Sequence, residues 1–245
     1  GCGHDLSVLR PSGDAIIGTG GESCGPVGFM NLFSENTNTI AQHGRRGANM
    51  QTLRIDHPDI EKFIEIKTGD VNMVKYSNIS VLLTDEFMKA VENDTEYTHR
   101  WPIDSDNPKF TKTIKAKELW DTIIECAHNT AEPGLIFWDR QHWYSTSSVY
   151  PGYENTSTNP CSEIAMQGGD SCRLIAINLF KFVEKPFTKD AKFNMENFYK
   201  ATYEGQRLMD DLVDLETEAI KRILAKIDAD DEPENIKGVE KETWE

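Results

Sequence analysis

The sequence predicts an α/β fold. Three features carry the prediction: short apolar runs of strand length at 52–55, 78–83 and 135–138, longer stretches with apolar residues at helical spacing between and after them, and Pro, Gly and Thr signals where the two periods change over. The chain has 245 residues, enough for one large domain or two small ones with a substantial core.

The elements follow in order. Residues 1–27 are rich in Gly, Ser and Thr, and the run Gly18-Thr19-Gly20-Gly21-Glu22-Ser23-Cys24-Gly25 reads as a flexible loop suited to close backbone approach to a ligand. No Gly-Lys-Ser/Thr follows, so it is not a Walker A loop. From about 27 to 42, Phe29, Leu32, Phe33 and Ile40 have helical spacing. The segment Gly44-Arg45-Arg46-Gly47 is an anion-binding turn or a solvated helix-to-strand connection. A strand is expected at 52–55, and Pro58 then takes the first position of a helix whose apolar face is Ile60, Phe63 and Ile64. His57 is expected to cap or to pack. Residues 78–83 form a strand, and Thr84 caps the helix carrying Phe87, Met88 and Val91. Residues 101–115 make a polar hairpin. A helix over about 116–130 buries Leu119, Trp120, Ile123, Ile124 and Ala127, with Cys126 and His128 as packing or surface residues. Pro133-Gly134 ends it, and 135–138 is a short buried strand. Residues 143–159 are irregular, a length of loop that is usually functional or disordered. A strand over 174–183 and a long helix over 198–227, with Gly205 as its expected point of bending, complete the pattern. Residues 228–245 form an acidic stretch of weak structure on composition.

With 38 % hydrophobic and 27 % charged residues, the chain reads as soluble and globular, and no apolar run approaches bilayer length. A net charge of −15 repels polyphosphate chains and argues against a nucleic-acid duplex as partner, although a local Arg cluster can still hold a small nucleotide. The five cysteines are Cys2, Cys24, Cys126, Cys161 and Cys172; an odd number without Cys-x-x-Cys argues against a disulfide framework or structural zinc and for a cytoplasmic setting with free thiols. The opening Gly-Cys-Gly-His-Asp has neither an initiator Met nor the basic and apolar regions of a signal peptide, so the expectation is an internal or processed piece of a longer protein.

The candidate site is Asn159-Pro160-Cys161-Ser162-Glu163, with Cys172 eleven residues after the first thiol. In an extended segment the side chains at i, i+2 and i+4 point the same way, so a carboxamide, a sulfur and a carboxylate converge. Pro160 suits a rigid loop tip better than a sheet centre.

Several motifs in order resemble the catalytic subunit of ribonucleotide reductases: His4-Asp5-Leu6-Ser7-Val8-Leu9-Arg10-Pro11, Ser23-Cys24-Gly25-Pro26-Val27, Gly44-Arg45-Arg46-Gly47-Ala48-Asn49-Met50, His57-Pro58-Asp59-Ile60, Glu132-Pro133-Gly134, Asn159-Pro160-Cys161-Ser162-Glu163 and Ala176-Ile177-Asn178-Leu179. The resemblance covers the chain to about residue 240, and the pentapeptide is its most specific part. The wording is most similar to the class II branch, which uses adenosylcobalamin; class I enzymes, which take the radical from a metal-containing partner subunit, share the core motif.

The resemblance implies part of a ten-stranded α/β barrel: the first half-barrel over 1–227, specificity loops at about 3–25 and 42–52, and a finger loop at about 145–172 with Cys161 at its tip. It implies reduction of ribonucleoside di- or triphosphates to deoxyribonucleotides. A Cys161 thiyl would abstract the 3′-hydrogen, Glu163 would serve as general base, Asn159 would hold the sugar hydroxyls, and Cys172 would be one member of the reducing thiol pair. Arg10 and the segment Gly44, Arg45, Arg46 and Gly47 would relay a dNTP or ATP effector to the substrate base. The helix near 27–42 would form a homodimer, and a thioredoxin-like protein would return the electrons. Neither Cys2 nor Cys24 matches the partner thiol of Cys172, so the isolated chain is expected to be inactive. Three other readings are open: a non-catalytic nucleotide-binding or assembly piece of a split enzyme; ordinary buried thiols at Cys161 and Cys172; and a thiol hydrolase, which would need an imidazole base near Cys161 that none of the six histidines supplies by a local signature.

Overall fold

Alternating side chains in residues 49–54 and 78–83 give each strand two differently occupied faces, and these two faces organise the first part of the chain. The computed structural model describes residues 1–40, 47–70 and 72–244. The chain divides into two units, Gly1–Ser171 and Cys172–Glu245.

In the first unit the elements run β1 (Cys2–Asp5), β2 (Ala15–Ile16), β3 (Gly21–Glu22), α1 (Val27–Thr39), β4 (Asn49–Arg54), α2 (Ile60–Gly69), β5 (Asn78–Leu83), α3 (Asp85–Glu92), β6 (Glu96–Trp101), β7 (Phe110–Lys115), α4 (Ala116–Thr130), β8 (Gly134–Phe137), α5 (Trp138–Trp143), β9 (Ser157–Thr158) and β10 (Ala165–Met166). The main sheet is wholly parallel in the order β1-β4-β5-β8, with Asp5 opposite Thr52, Thr52 opposite Ser80, and Ser80 opposite Gly134. Parallel neighbours require crossover connections, and here the helices supply them. The α/β class is therefore as predicted. The four strands are an open sheet, an arc of a barrel rather than a closed one.

One sheet face carries Leu53, Ile55, Ile79, Val81 and Leu83 against Met30 of α1, Phe63 and Ile64 of α2, Phe87 of α3 and Ile123 of α4. This is the core. Thr84 caps α3 by accepting from the Phe87 N–H at 3.2 Å, as its sequence position predicts. Glu132 joins layers: it accepts from the Ile79 N–H at 3.0 Å and pairs with Lys67 of α2, which explains why a carboxylate precedes Pro133-Gly134 at the start of β8. The other face of the sheet carries Thr52, Ser80 and Leu82 and receives the 157–166 segment.

His57 is structural, in agreement with its sequence reading. Its Nδ1 accepts from the Asp59 N–H at 3.0 Å, so its Nε2–H donates to the Leu9 carbonyl at 3.0 Å. His99 is also buried, with no hydrogen-bond partner for either ring nitrogen among the described residues. Burial lowers the pKa of both, that of His99 to about 4. Between that value and the ordinary one near 6.5, the unfolded chain binds protons that the folded chain refuses, so stability falls as pH drops through this window. Asp5, raised by burial, acts in the opposite sense over the carboxylate range. The expected result is a lower urea midpoint at pH 5 than at pH 7. His99→Phe should shrink that difference and leave the midpoint at pH 7 unchanged or higher, because it removes two unpaired buried nitrogens.

Several expectations are corrected. Pro58 lies before α2 and Asp59 is its N-cap. The Gly-rich 18–25 run is part of a small hairpin, β2 with β3. Cys126 rather than Ile124 faces the core from α4, and Ile124 is half exposed. In β8 only Ile136 is buried, because β8 is the edge of the sheet and lacks a neighbour on one side.

In the second unit, 174–183 is not a strand. The Asn178 side chain accepts from the Phe180 N–H at 3.1 Å and starts a 3-10 turn at Leu179–Phe182. The short strands β11 (Val183–Glu184) and β12 (Lys192–Phe193) pair with each other, and Asn194 caps α6 (Met195–Ala229). Helix α6 runs unbroken through Gly205, which is buried beside Ile175. Leu208 and Leu215 of its expected apolar face are exposed. Residues Glu234–Trp244 form helix α7 instead of a weakly structured tail: Lys237 is buried, donates to the Asp228 carbonyl at 3.3 Å and pairs with Glu234, while Lys241 pairs with Asp228. Among the described residues no helix is long and apolar enough to cross a membrane.

Candidate active site

Strands β9 and β10 form a short antiparallel hairpin with Thr158 opposite Ala165 and Ser157 opposite Met166. The hairpin lies on the sheet face opposite the helices. Thr52 Oγ1 and Ser157 Oγ share a hydrogen bond of 3.2 Å. Gly3 of β1 meets Thr158 so closely that a Cβ built on it would stand 1.8 Å from the Thr158 carbonyl oxygen. Asn78, the first residue of β5, donates from Nδ2 to the Pro160 carbonyl at 2.9 Å. Three neighbouring strands thus hold three successive parts of the hairpin.

At the tip the pentapeptide is a turn, not an extended strand. The Asn159 N–H donates to the Ile164 carbonyl at 3.2 Å, and the Ile164 N–H returns to Asn159 Oδ1 at 3.1 Å. The Ser162 N–H donates to the Asn159 carbonyl at 2.9 Å, and Ser162 takes a φ of 67°. The i, i+2, i+4 convergence expected of an extended segment is therefore not formed. The chain must reverse between two short paired strands, and only a turn does so in residues 159–164.

Cys161 is exposed at the apex of this turn. Asn159 is buried beneath it, and its Oδ1 is engaged within the turn, so Nδ2 is the group left to donate outward. It lines a cavity of about 260 Å³ together with Cys2, Gly3, Thr158 and Met166. Glu163 is exposed and lines a different cavity, of about 520 Å³, with Arg140, Gln141, Tyr144 and Ser147. The structure brings Asn159, Cys161 and Glu163 to one hairpin tip but directs Asn159 and Glu163 into separate spaces. Cys172 is half-buried and opens the second unit.

The loop residues are distributed as follows. Arg10 donates from Nη1 to the Ala15 carbonyl at 3.0 Å and so braces the β2–β3 hairpin, with Asp14 4.0 Å away. Gly47 lies against α1, where a Cβ would come within 2.4 Å of the Thr37 carbonyl oxygen. Gly44, Arg45 and Arg46, and the end of the helix expected to reach Gln42, lie outside the described residues.

Sequence reasoning singled out the tip and missed its supports. Gly3, Thr52, Asn78 and Ser157 are distant from Cys161 in the chain, and each reads locally as ordinary strand or turn chemistry. The Gly1-Cys2-Gly3 spacing was the one local signal, since Gly inside a strand marks close backbone approach.

Comparison with known proteins gives a consistent result. Residues 1–230 match the family described as ribonucleotide reductase, barrel domain. The vitamin B12-dependent ribonucleoside-diphosphate reductase of Thermoplasma acidophilum is 38 % identical over 227 residues, covering 91 % of this chain and 28 % of that protein. The protein of the same name from Mycobacterium tuberculosis is 33 % identical over 217 residues, covering 88 % and 30 %. A vitamin B12-dependent ribonucleotide reductase of Rhodopirellula baltica is 31 % identical over 250 residues, covering 91 % and 23 %. The chain spans less than a third of the length of each of these relatives.

Proposed function

Because the chain belongs to the ribonucleotide reductase barrel-domain family, we propose that it is the part of an adenosylcobalamin-dependent ribonucleotide reductase that carries the hydrogen-abstracting thiol, Cys161. The observation that carries this reading is the exposed Cys161 at the apex of a turn anchored to three strands of the sheet. A thiol that must first be oxidised and then meet a substrate needs access from outside and a fixed position, and this placement provides both.

An exposed apical thiol also fits a bulky radical source on its open side. When bound, adenosylcobalamin supplies the organic radical that converts the thiol to a thiyl. The remaining steps belong to the protein. The Cys161 sulfur takes the 3′-hydrogen of the ribose and returns it once the sugar has been reduced, which regenerates the thiyl. The Glu163 carboxylate accepts the 3′-hydroxyl proton as the 2′-hydroxyl, protonated by a thiol of the reducing pair, leaves as water. Asn159 Nδ2 donates to a sugar hydroxyl and holds the ring at the reacting distance. Cys172, with a second thiol, supplies two electrons and closes a disulfide that a thioredoxin-like protein reopens. In the structure Asn159 and Glu163 face separate cavities, so this reading places the ribose across the tip, between them. The substrates are ribonucleoside di- or triphosphates, and the effectors dNTPs or ATP acting through Arg10 and the 44–47 segment on a homodimer formed by α1.

The test is reduction of a ribonucleotide by the full-length protein with dithiothreitol and effector, with and without adenosylcobalamin. Activity only with the cobalamin supports the reading. Activity only with a metal-loaded partner subunit replaces the radical source and leaves the thiol assignment standing.

Asn159→Asp separates the two uses of this side chain. The carboxylate still accepts from the Ile164 N–H, so the turn and the melting temperature persist, but the outward donor is lost. Turnover is expected to fall ~10²-fold, with nucleotide binding changed far less, as measured by steady-state kinetics and equilibrium binding.

A further inference from the structure

We infer that Asn78 is a positioning residue for the Cys161 thiol. The inference rests on the reading of Cys161 as the hydrogen-abstracting group. Asn78 and Pro160 are 82 residues apart, yet the Asn78 amide donates to the Pro160 carbonyl at 2.9 Å. That carbonyl belongs to the planar peptide unit whose nitrogen is Cys161's own, so holding the oxygen holds the plane from which the Cys161 side chain departs.

Of the other anchors, Thr52 bonds Ser157 and Gly3 packs on Thr158, both earlier in the hairpin, while Gly1 packs on the Pro160 ring without a hydrogen bond to the Pro160 carbonyl. The remaining hydrogen bonds of residues 159–164 run within the hairpin itself, between Asn159 and Ile164, Ser162 and Asn159, and Thr158 and Asn159. They fix the shape of the turn but not its place. Among the described residues the Asn78–Pro160 bond is the only hydrogen bond from the sheet to the turn. It also comes from a firm base: β5 lies between β4 and β8, and every residue of it after Asn78 is buried. Asn78 itself is exposed and makes no contribution to the apolar core, so its substitution removes the tether without opening a cavity.

The expected consequence is on the chemical step. A thiol displaced by a fraction of an ångström to an ångström meets the 3′-hydrogen less often in reacting geometry, while the nucleotide still binds through groups elsewhere.

The experiment uses the full-length reductase with 3′-deuterated and unlabelled ribonucleotide. Asn78→Leu and Asn78→Asp both keep the side chain's size and remove the donor; one is neutral and one charged, so agreement between them excludes charge as the cause. Turnover is expected to fall by about ten- to a hundredfold, the substrate KM to stay within about twofold, and the deuterium isotope effect on kcat to rise as hydrogen abstraction becomes more rate-limiting. Asn78→Gln, which keeps a donor, is expected to recover part of the turnover. Wild-type turnover and isotope effect in both donorless variants would overturn the inference, as would a loss of turnover that only follows a lower melting temperature with the isotope effect unchanged. Cys161→Ser is run alongside. Turnover in that variant would sink the thiol assignment itself; an inactive Cys161→Ser beside a fully active Asn78→Leu would remove only the positioning role.

Discussion

On the proposed reading, Cys161→Ser is expected to abolish ribonucleotide reduction by the full-length protein, with at least a ~1,000-fold loss, equivalent to about 4 kcal/mol of transition-state stabilisation. Serine is the smallest change available: it exchanges one atom and keeps the shape. The chemistry is nevertheless expected to be lost, because an alkoxyl radical is far harder to generate from an O–H bond than a thiyl from an S–H bond. The fold is not at stake. Cys161 is exposed at the apex of the turn, and its side chain takes no part in the hydrogen bonds that shape residues 159–164. Exposed substitutions of this kind change stability by about 0.5 kcal/mol or less. Product analysis by chromatography, paired with a thermal melt and effector binding, checks the prediction. Residual turnover above about a thousandth of wild type would show that another group initiates the reaction.

Gly3→Ala displaces the whole tip. The new methyl would stand 1.8 Å from the Thr158 carbonyl oxygen and 3.0 Å from its carbon, both backbone atoms that cannot rotate away. To reach an ordinary carbon–oxygen contact, β9 must retreat from β1 by roughly 1.5 Å. That motion strains the Thr52–Ser157 bond and the Asn78–Pro160 bond together, since both span the same interface. Overpacking of this kind costs ~1–3 kcal/mol in stability. On the proposed role of Cys161, the accompanying shift of the thiol is expected to lower turnover ~10²-fold. Gly18→Ala is the matched control: nothing lies within 4 Å of a Cβ there. Urea denaturation and steady-state turnover of the two variants decide the matter. Equal behaviour of Gly3→Ala and Gly18→Ala would mean that the hairpin does not rest on β1.

How much of this was legible in advance differs from element to element. The Thr84 cap, the 78–83 strand and the 116–130 helix were readable because each depends on residues a few positions apart. The 174–183 segment was misread as a strand because its apolar composition says nothing about whether a neighbour exists to pair with; in the structure Asn178 closes a local turn instead. Residues 234–244 were misread as weakly structured because their acidity hid a helix whose buried Lys237 bonds the Asp228 carbonyl and is flanked by Glu234. At the site, the identities of Asn159, Cys161 and Glu163 stood out as a pattern, but their geometry did not. An extended strand and a tight turn are both open to Asn-Pro-Cys-Ser-Glu, and the choice is made by the pairing of β9 with β10.

The sequence by itself determined the α/β alternation, the Thr84 cap and the cysteine at a loop tip, because periodicity, capping and turn chemistry are short-range properties. Only the tertiary structure decided where that tip is held. Gly3, Thr52 and Asn78 become its supports because parallel strands, joined through helices, bring distant residues onto one face of the sheet, Gly3 and Asn78 both opposite Met50 and Thr52 two residues further along, and long-range register of that kind is set by the packing of the sheet as a whole rather than by any local run of residues.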